Sequence, residues 1–145
     1  MIFVDTGAFL ARYVAGDQYH DAAVRAWKRL ERSSGVLFTS SFVVDETLTL
    51  LARRATYAFA AARADAFYGS RILSILRPDA ADEANAVELF RKFADQRVSF
   101  TDCVSFALMR RHRLTKAFTF DRHFADAGFE IWPASPSFKA RGKKG

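Results

Sequence analysis

Short apolar runs alternate along the chain with longer stretches in which apolar residues recur every three or four positions. The first pattern predicts buried strands, the second amphipathic helices. "IFV" before Asp5 reads as a first strand, and "AFLARYV" as a first helix. Asp17 is placed to cap a second helix, whose period runs through Ala22, Ala23, Val24, Trp27 and Leu30 to "SSG". "VLFTS" is a second strand, and Ser41 a cap for a helix through Phe42, Val43, Val44, Leu48, Leu51 and Ala52. Thr56 opens an Ala- and Phe-rich helix that reaches Tyr68 and Gly69. "RILSIL" is a third strand, ended by Arg77-Pro78-Asp79. Residues 80–94 form a helix with Ala84, Val87, Phe90 and Phe93 inward, and a further helix covers 102–112. "AFTFD" is a fourth strand, "RHFADAG" a short helical turn, and "EIWP" a fifth, edge strand stopped by Pro133.

Strands alternating with helices predict an α/β protein, a three-layer α/β/α domain around a mainly parallel sheet of about five strands. The 145 residues suit one domain, expected over 1–135, with residues 136–145 as a basic tail expected to be disordered. No repeat or internal linker interrupts it.

Composition narrows this picture in three ways. Half the residues are apolar and fifteen are Phe, which supports a packed core and excludes a disordered chain. The single cysteine, Cys103, excludes an internal disulfide framework and a Cys-rich zinc site, so a cytoplasmic setting is expected. Only "IFV" separates Met1 from Asp5, too little for a secretory signal, and no apolar run nears the ~18 residues of a membrane span. The formal charge is +6, but Lys139, Arg141, Lys143 and Lys144 crowd the last seven residues. Taking those four from the 22 Lys and Arg leaves 18 against 16 acidic groups for the body. A basic chain is a candidate for nucleic-acid binding, and a solvated tail explains the same charge.

Four acids stand out against the apolar pattern. Asp5 ends the first strand and Asp121 the fourth; Glu46 sits mid-helix among apolar residues; Asp102 heads the stripe of Phe106 and Met109. In a parallel sheet these positions converge at the carboxyl ends of the strands. Singly, Asp102 reads as a helix-start residue behind Thr101 as N-cap, and Asp5 and Asp121 as turn residues. Asp45 rivals Glu46, but the helical period aims it elsewhere. Jointly, two like charges ~4 Å apart repel by roughly 4 kcal/mol at an effective dielectric near 20, so protons or cations must neutralise them. Oxygen ligands without a His or Cys cluster select Mg²⁺ or Mn²⁺, the ions that serve phosphodiester hydrolysis.

These residues resemble a known family. "IFVDTGAFLARY", "TSSFVVDETLTLLARR" and "VSFTDCVSFALMRRHRLTKAFTFDRHFADAGFE" are similar, in order and spacing, to the blocks of PIN-domain ribonucleases, and among them of VapC-type toxins. The resemblance implies a Mg²⁺/Mn²⁺-dependent endoribonuclease, the toxin of a type II toxin–antitoxin system, acting on RNA, dimeric and held inactive by an antitoxin. Asp5, Glu46 and Asp102 would hold a first ion, and Asp121 would complete the site or recruit a second. Thr6 and Thr101 match positions where a hydroxyl supports the acids. The chain departs from the pattern at His123, where many members carry a further acid; it is expected to be a surface or phosphate-side residue.

Arg12, Arg53, Arg54, Arg110 and Arg113 are candidate RNA contacts, the last two within the basic end of the 102–112 helix and the turn after it. His20 and His112 lack a nucleophile partner, and Cys103 reads as a small buried hydrophobe. Tyr57, Phe59, Phe67 and Tyr68 exceed what one helix face can bury, which suits a partner surface or a core face equally. Two other classes remain readable. A non-catalytic PIN-like RNA- or protein-binding module would need an incomplete acid set. A phosphoacceptor receiver would need an Asp ending the third strand, where Arg77 and Pro78 stand.

Overall fold

The computed structural model describes residues 1–134, among which lie five strands and seven α-helices. In chain order these are β1 (Ile2–Val4), α1 (Thr6–Tyr13), α2 (His20–Glu31), β2 (Leu37–Ser40), α3 (Ser41–Arg54) and α4 (Tyr57–Gly69). There follow β3 (Leu73–Leu76), α5 (Ala80–Lys92), α6 (Phe100–Arg111), β4 (Lys116–Phe118), α7 (His123–Asp126) and β5 (Glu130–Trp132). The tail expected over 136–145 lies outside the described residues.

All five strands run parallel, in the order β3-β2-β1-β4-β5. Successive strand residues face opposite sides of a sheet. Ile2, Phe3 and Val4 are nevertheless all buried, so β1 is covered on both faces, which is why it reads as an unbroken apolar run. From β1 the chain builds outward through β2 to β3, then returns to the other side of β1 for β4 and β5. The reversal falls between β1 and β4, where the carboxyl ends of open α/β sheets form a crevice.

Several local expectations shift. Ser40, not Ser41, caps α3, its hydroxyl accepting from the Val43 N–H at 3.0 Å. Ser99, not Thr101, caps α6, so Thr101 lies inside the first turn. Asp17 does not cap α2 but accepts from the Tyr19 N–H in the preceding turn. Thr56 caps α4 as expected. The fourth strand stops at Phe118, three residues short of Asp121.

Two helices pack differently from their patterns. In α5 the inward residues are Asp82, Ala86 and Leu89, with Phe93 following, while Ala84, Val87 and Phe90 are exposed. Asp82 can head that stripe because Arg111 clasps it with two hydrogen bonds of 2.7 Å and its carboxylate also accepts from the Asp79 N–H. In α6 every residue from Asp102 to Met109 is buried, so this helix is enclosed all round rather than along one stripe. It packs against α5 and α3, and Phe106 meets Phe93, Phe124 and Phe129. In α4, Phe67 is buried and Phe59 half-buried, whereas Tyr57 and Tyr68 remain exposed.

Candidate active site

The four predicted acids meet in one cleft of about 440 Å³ at the carboxyl edge of the sheet. Asp5 follows β1 and caps α1, accepting from the Thr6 N–H at 2.7 Å. Its other oxygen accepts from the Thr119 hydroxyl at 2.8 Å. That hydroxyl also accepts from the Asp121 N–H at 3.0 Å, so one side chain at the end of β4 ties two acids together. Glu46, half-buried on α3, accepts from the Thr6 hydroxyl at 3.4 Å. Asp45 beside it is exposed, as the helical period predicts. Asp102 enters at the third position of α6, its N–H donating to the Ser99 hydroxyl at 3.1 Å.

His123 does not stand apart from this group. Its N–H donates to Asp121 Oδ1 at 2.9 Å, and its Nδ1 lies 3.1 Å from the same oxygen. Ligand atoms of Asp102, Asp121 and His123 all fall within 4.8 Å of one another. The expected surface or phosphate-side residue is therefore part of the cluster, aligned by the tight turn that Asp121 makes with it.

The electrostatics follow from crowding and burial. Loss of water pushes the Asp5 carboxyl from its ordinary 3.8 up to about 7, with the Asp121 and Glu46 charges adding to the rise and the Thr119 and Thr6 hydrogen bonds opposing it. Burial, then the charges of Asp5 and Asp121 and a hydrogen bond with Asp121, push Asp102 up to about 9. Among the described residues, no Lys or Arg forms an ion pair with any of the four acids. Buried carboxylates that lack a cationic partner are a fitting donor set for a hard divalent ion, which discharges the repulsion that protons otherwise must. Cys103 adjoins them, but burial and Asp102 push its thiol up to about 11, so it offers no thiolate.

The other predicted residues separate. Thr6 supports Asp5 and Glu46, whereas Thr101 offers the cleft no hydroxyl contact among the described residues, its carbonyl accepting from Ser105. Arg54 lines the cleft. Arg12 is turned away, paired with Glu31 at 2.8 Å and stacked over Trp27. Arg53 lines a groove between α3 and α4. Arg110 lies in a separate groove of about 680 Å³ between α5 and α6, donating to the Ala127 carbonyl at 3.2 Å. Arg113 is exposed in the turn after α6. Sequence reasoning missed Thr119, Arg97 and the Tyr19–Phe120 pair, all of which touch the site. Arg97 adopts φ 54 before α6, a left-handed conformation in a residue type that seldom takes it.

Comparison with known proteins identifies the family and the fold. A family model described as PIN domain matches residues 2–130. The chain is 38% identical over 134 residues to the "23S rRNA-specific endonuclease VapC20" of Mycobacterium tuberculosis, covering 92% of this chain and 99% of that protein. It is 30% identical over 133 residues to a "VapC ribonuclease" of Archaeoglobus fulgidus, covering 89% and 83%. The crystal structure of Mycobacterium tuberculosis VapC20, titled a "Sarcin-Ricin loop cleaving toxin", superposes with TM-score 0.81 at 36% identity, over 89% of this chain and 96% of that one.

Proposed function

Because this chain belongs to the PIN-domain family, as an endoribonuclease of the VapC type, we propose that Asp5, Glu46, Asp102 and Asp121 hold Mg²⁺ or Mn²⁺ for RNA phosphodiester hydrolysis. The observation that carries the site assignment is the convergence of four acids, two of them buried and raised in pKa, with no Lys or Arg paired to them among the described residues. A divalent ion bound there supplies Lewis acidity to the phosphate and acidifies the attacking water. The chain's own residues supply the positioning. Thr119 and the Thr6 N–H fix both oxygens of Asp5, and Ser99 fixes the start of α6 and so Asp102. His123 holds Asp121 through its backbone N–H. In the net reaction a water oxygen bonds to phosphorus, the bond to the leaving ribose oxygen breaks, one water proton ends on that oxygen, and the acids act without becoming covalent intermediates.

Arg54 and Arg97, on the cleft wall, suit the phosphates on either side of the cut. Arg53, Arg110 and Arg113 lie on outer faces and would serve a longer RNA. The partners of this reading are an RNA substrate, a cognate antitoxin and a second copy of the chain, in the cytoplasm. Among the described residues no helix is long and apolar enough to cross a membrane. The 23S rRNA named for the Mycobacterium relative makes ribosomal RNA the first substrate to assay.

The test is to sequence RNA 5′ and 3′ ends after expressing the wild type beside Asp5→Asn. New, discrete ends with growth arrest are expected from the wild type alone. The same ends from both chains would sink the assignment.

A further inference from the structure

Two rings on the wall of the acid cleft take no part in arranging the carboxylates. Tyr19, just before α2, and Phe120, between Thr119 and Asp121, stack nearly parallel, with centroids 4.8 Å apart and planes at 3°. Both line the cleft with Asp5, Asp102 and Asp121. The stack rests on a firm base. Phe120 meets the fully buried Phe118 edge-on at 6.0 Å, and Phe118 in turn meets Trp132. The loop carrying Tyr19 is tied down as well. Asp17 accepts the Tyr19 N–H at 2.8 Å and, through its carbonyl, the His20 N–H at 3.0 Å, while the His20 ring lies 2.7 Å from the Ala11 carbonyl.

Tyr19 is nevertheless 40% exposed. A tied-down ring, stacked on another ring on one face, partly exposed and lining a phosphate-cleaving centre, has the form of a stacking platform. A flat heteroaromatic base fits such a platform by its π-face, whatever its hydrogen-bonding edge. In a continuous duplex both faces of each base are already covered by neighbours. Only an unpaired base can lie on Tyr19. Arg54 and Arg97 on the same wall suit phosphates more than they suit an apolar peptide.

Resting on the ribonuclease reading above, we propose that Tyr19, backed by Phe120, stacks an unpaired base next to the scissile phosphate. Tyr19 is thus a substrate-binding residue; Phe120 positions it.

The experiment uses the full chain with Mn²⁺, as wild type, Tyr19→Phe, Tyr19→Trp and Tyr19→Leu. The probes are an RNA hairpin that the wild type cuts in its loop, carrying 2-aminopurine beside the cut, and the same strand closed into duplex by its complement. Tyr19→Phe and Tyr19→Trp should keep KM within about threefold and quench 2-aminopurine on binding, before cleavage. Tyr19→Leu should raise KM roughly tenfold or more, with a smaller change in kcat, and abolish the quench. The duplex should resist the wild type. An unchanged KM and quench in Tyr19→Leu, or equal cutting of hairpin and duplex, would overturn the platform while leaving the ribonuclease reading intact. Should Tyr19→Leu melt early, Tyr19→Trp decides: retained KM and deeper quench support the platform, and a tenfold rise in KM overturns it. A wild type that cuts no RNA sinks the ribonuclease reading and this proposal together.

Discussion

Asp82 and Asp102 occupy the same position in neighbouring helices and have opposite fates. Each is the third residue of its helix, behind a capping side chain, Asp79 in α5 and Ser99 in α6. Each is buried, at 2% and 8% exposure, Asp82 at the head of an inward stripe with Ala86 and Leu89, Asp102 at the head of a helix enclosed on all sides. Arg111, from the far end of α6, reaches Asp82 and holds its carboxyl below the usual carboxylate range. Asp102 meets Asp5, Asp121 and Glu46 instead, and its carboxyl rises to about 9. A buried acid that serves the fold finds its cation within the chain. Asp102, surrounded by further acids and without such a clasp, fits the role proposed above of taking a cation from solution.

The largest expected difference between the two is in activity. On the reading proposed above, Asp102→Asn should lower RNA cleavage about a thousandfold or more, because it removes an acid proposed to hold the ion. Asp82→Asn should leave cleavage per folded molecule within about threefold and lower the melting temperature by roughly 5 °C, through loss of the Arg111 clasp and the capping box. Cleavage of a labelled RNA, normalised to the folded fraction, checks both. Equal losses in the two variants would dissolve the distinction.

Next comes the response to metal. At about a hundred times its dissociation constant, a ligand bound only by the folded state stabilises by roughly 2.7 kcal/mol. Mn²⁺ should therefore raise the melting temperature of the wild type and of Asp82→Asn by about 5 to 10 °C. In Asp102→Asn the rise should be small. Scanning calorimetry with and without EDTA reads this directly.

A smaller effect sharpens the comparison within the site. Thr119→Val removes the hydroxyl that links Asp5 to the Asp121 backbone while keeping the side-chain volume. Groups that orient ligands in this way change metal affinity by about 10- to 100-fold. The Mn²⁺ concentration for half-maximal cleavage should rise about tenfold in Thr119→Val and little in Thr119→Ser. A titration of rate against Mn²⁺ separates the two.

What could be read in the sequence follows the same logic. Asp5, Glu46 and Asp102 were legible because an acid interrupts an apolar pattern, and alternation of strands and helices located the sheet edge they share. Asp82 was not, since an acid at a helix start is ordinary and its partner lies 29 residues on; the phase of α5 was misread with it. Thr119 was hidden for a similar reason: a threonine ending a strand carries no local signal, and its two bonds are tertiary. His123 looked like a departure from an acidic pattern, yet its backbone and ring both turn to Asp121 through a two-residue turn. Ser40 and Ser41, like Ser99 and Thr101, differ as caps only by where the strand or loop hands the chain to the helix, which adjacent hydroxyls cannot reveal.

The last expected effect is the slope of stability with pH, and its sign differs between the two acids. Asp5 and Asp102 have folded values of about 7 and about 9 against an ordinary 3.8. Between pH 4 and 9 the folded chain therefore keeps protons that the unfolded chain has released. Stability must fall as pH rises through that window, since it rises with pH only where the unfolded state binds more protons. Asp82 acts in the opposite sense. Its lowered folded value makes its contribution full above the ordinary 3.8 and lost as pH drops through the folded value. In EDTA the wild type should melt at a lower temperature at pH 9 than at pH 6, and Asp102→Asn should flatten that slope. Asp82→Asn should leave the slope between pH 6 and 9 unchanged and remove a loss of stability seen only below about pH 4. Saturating Mn²⁺ should flatten the slope for the wild type, because the ion binds the ionised acids and replaces the same protons. A metal-free wild type whose melting temperature is flat from pH 6 to 9 would mean that the acids of the cleft repel less than their crowding requires.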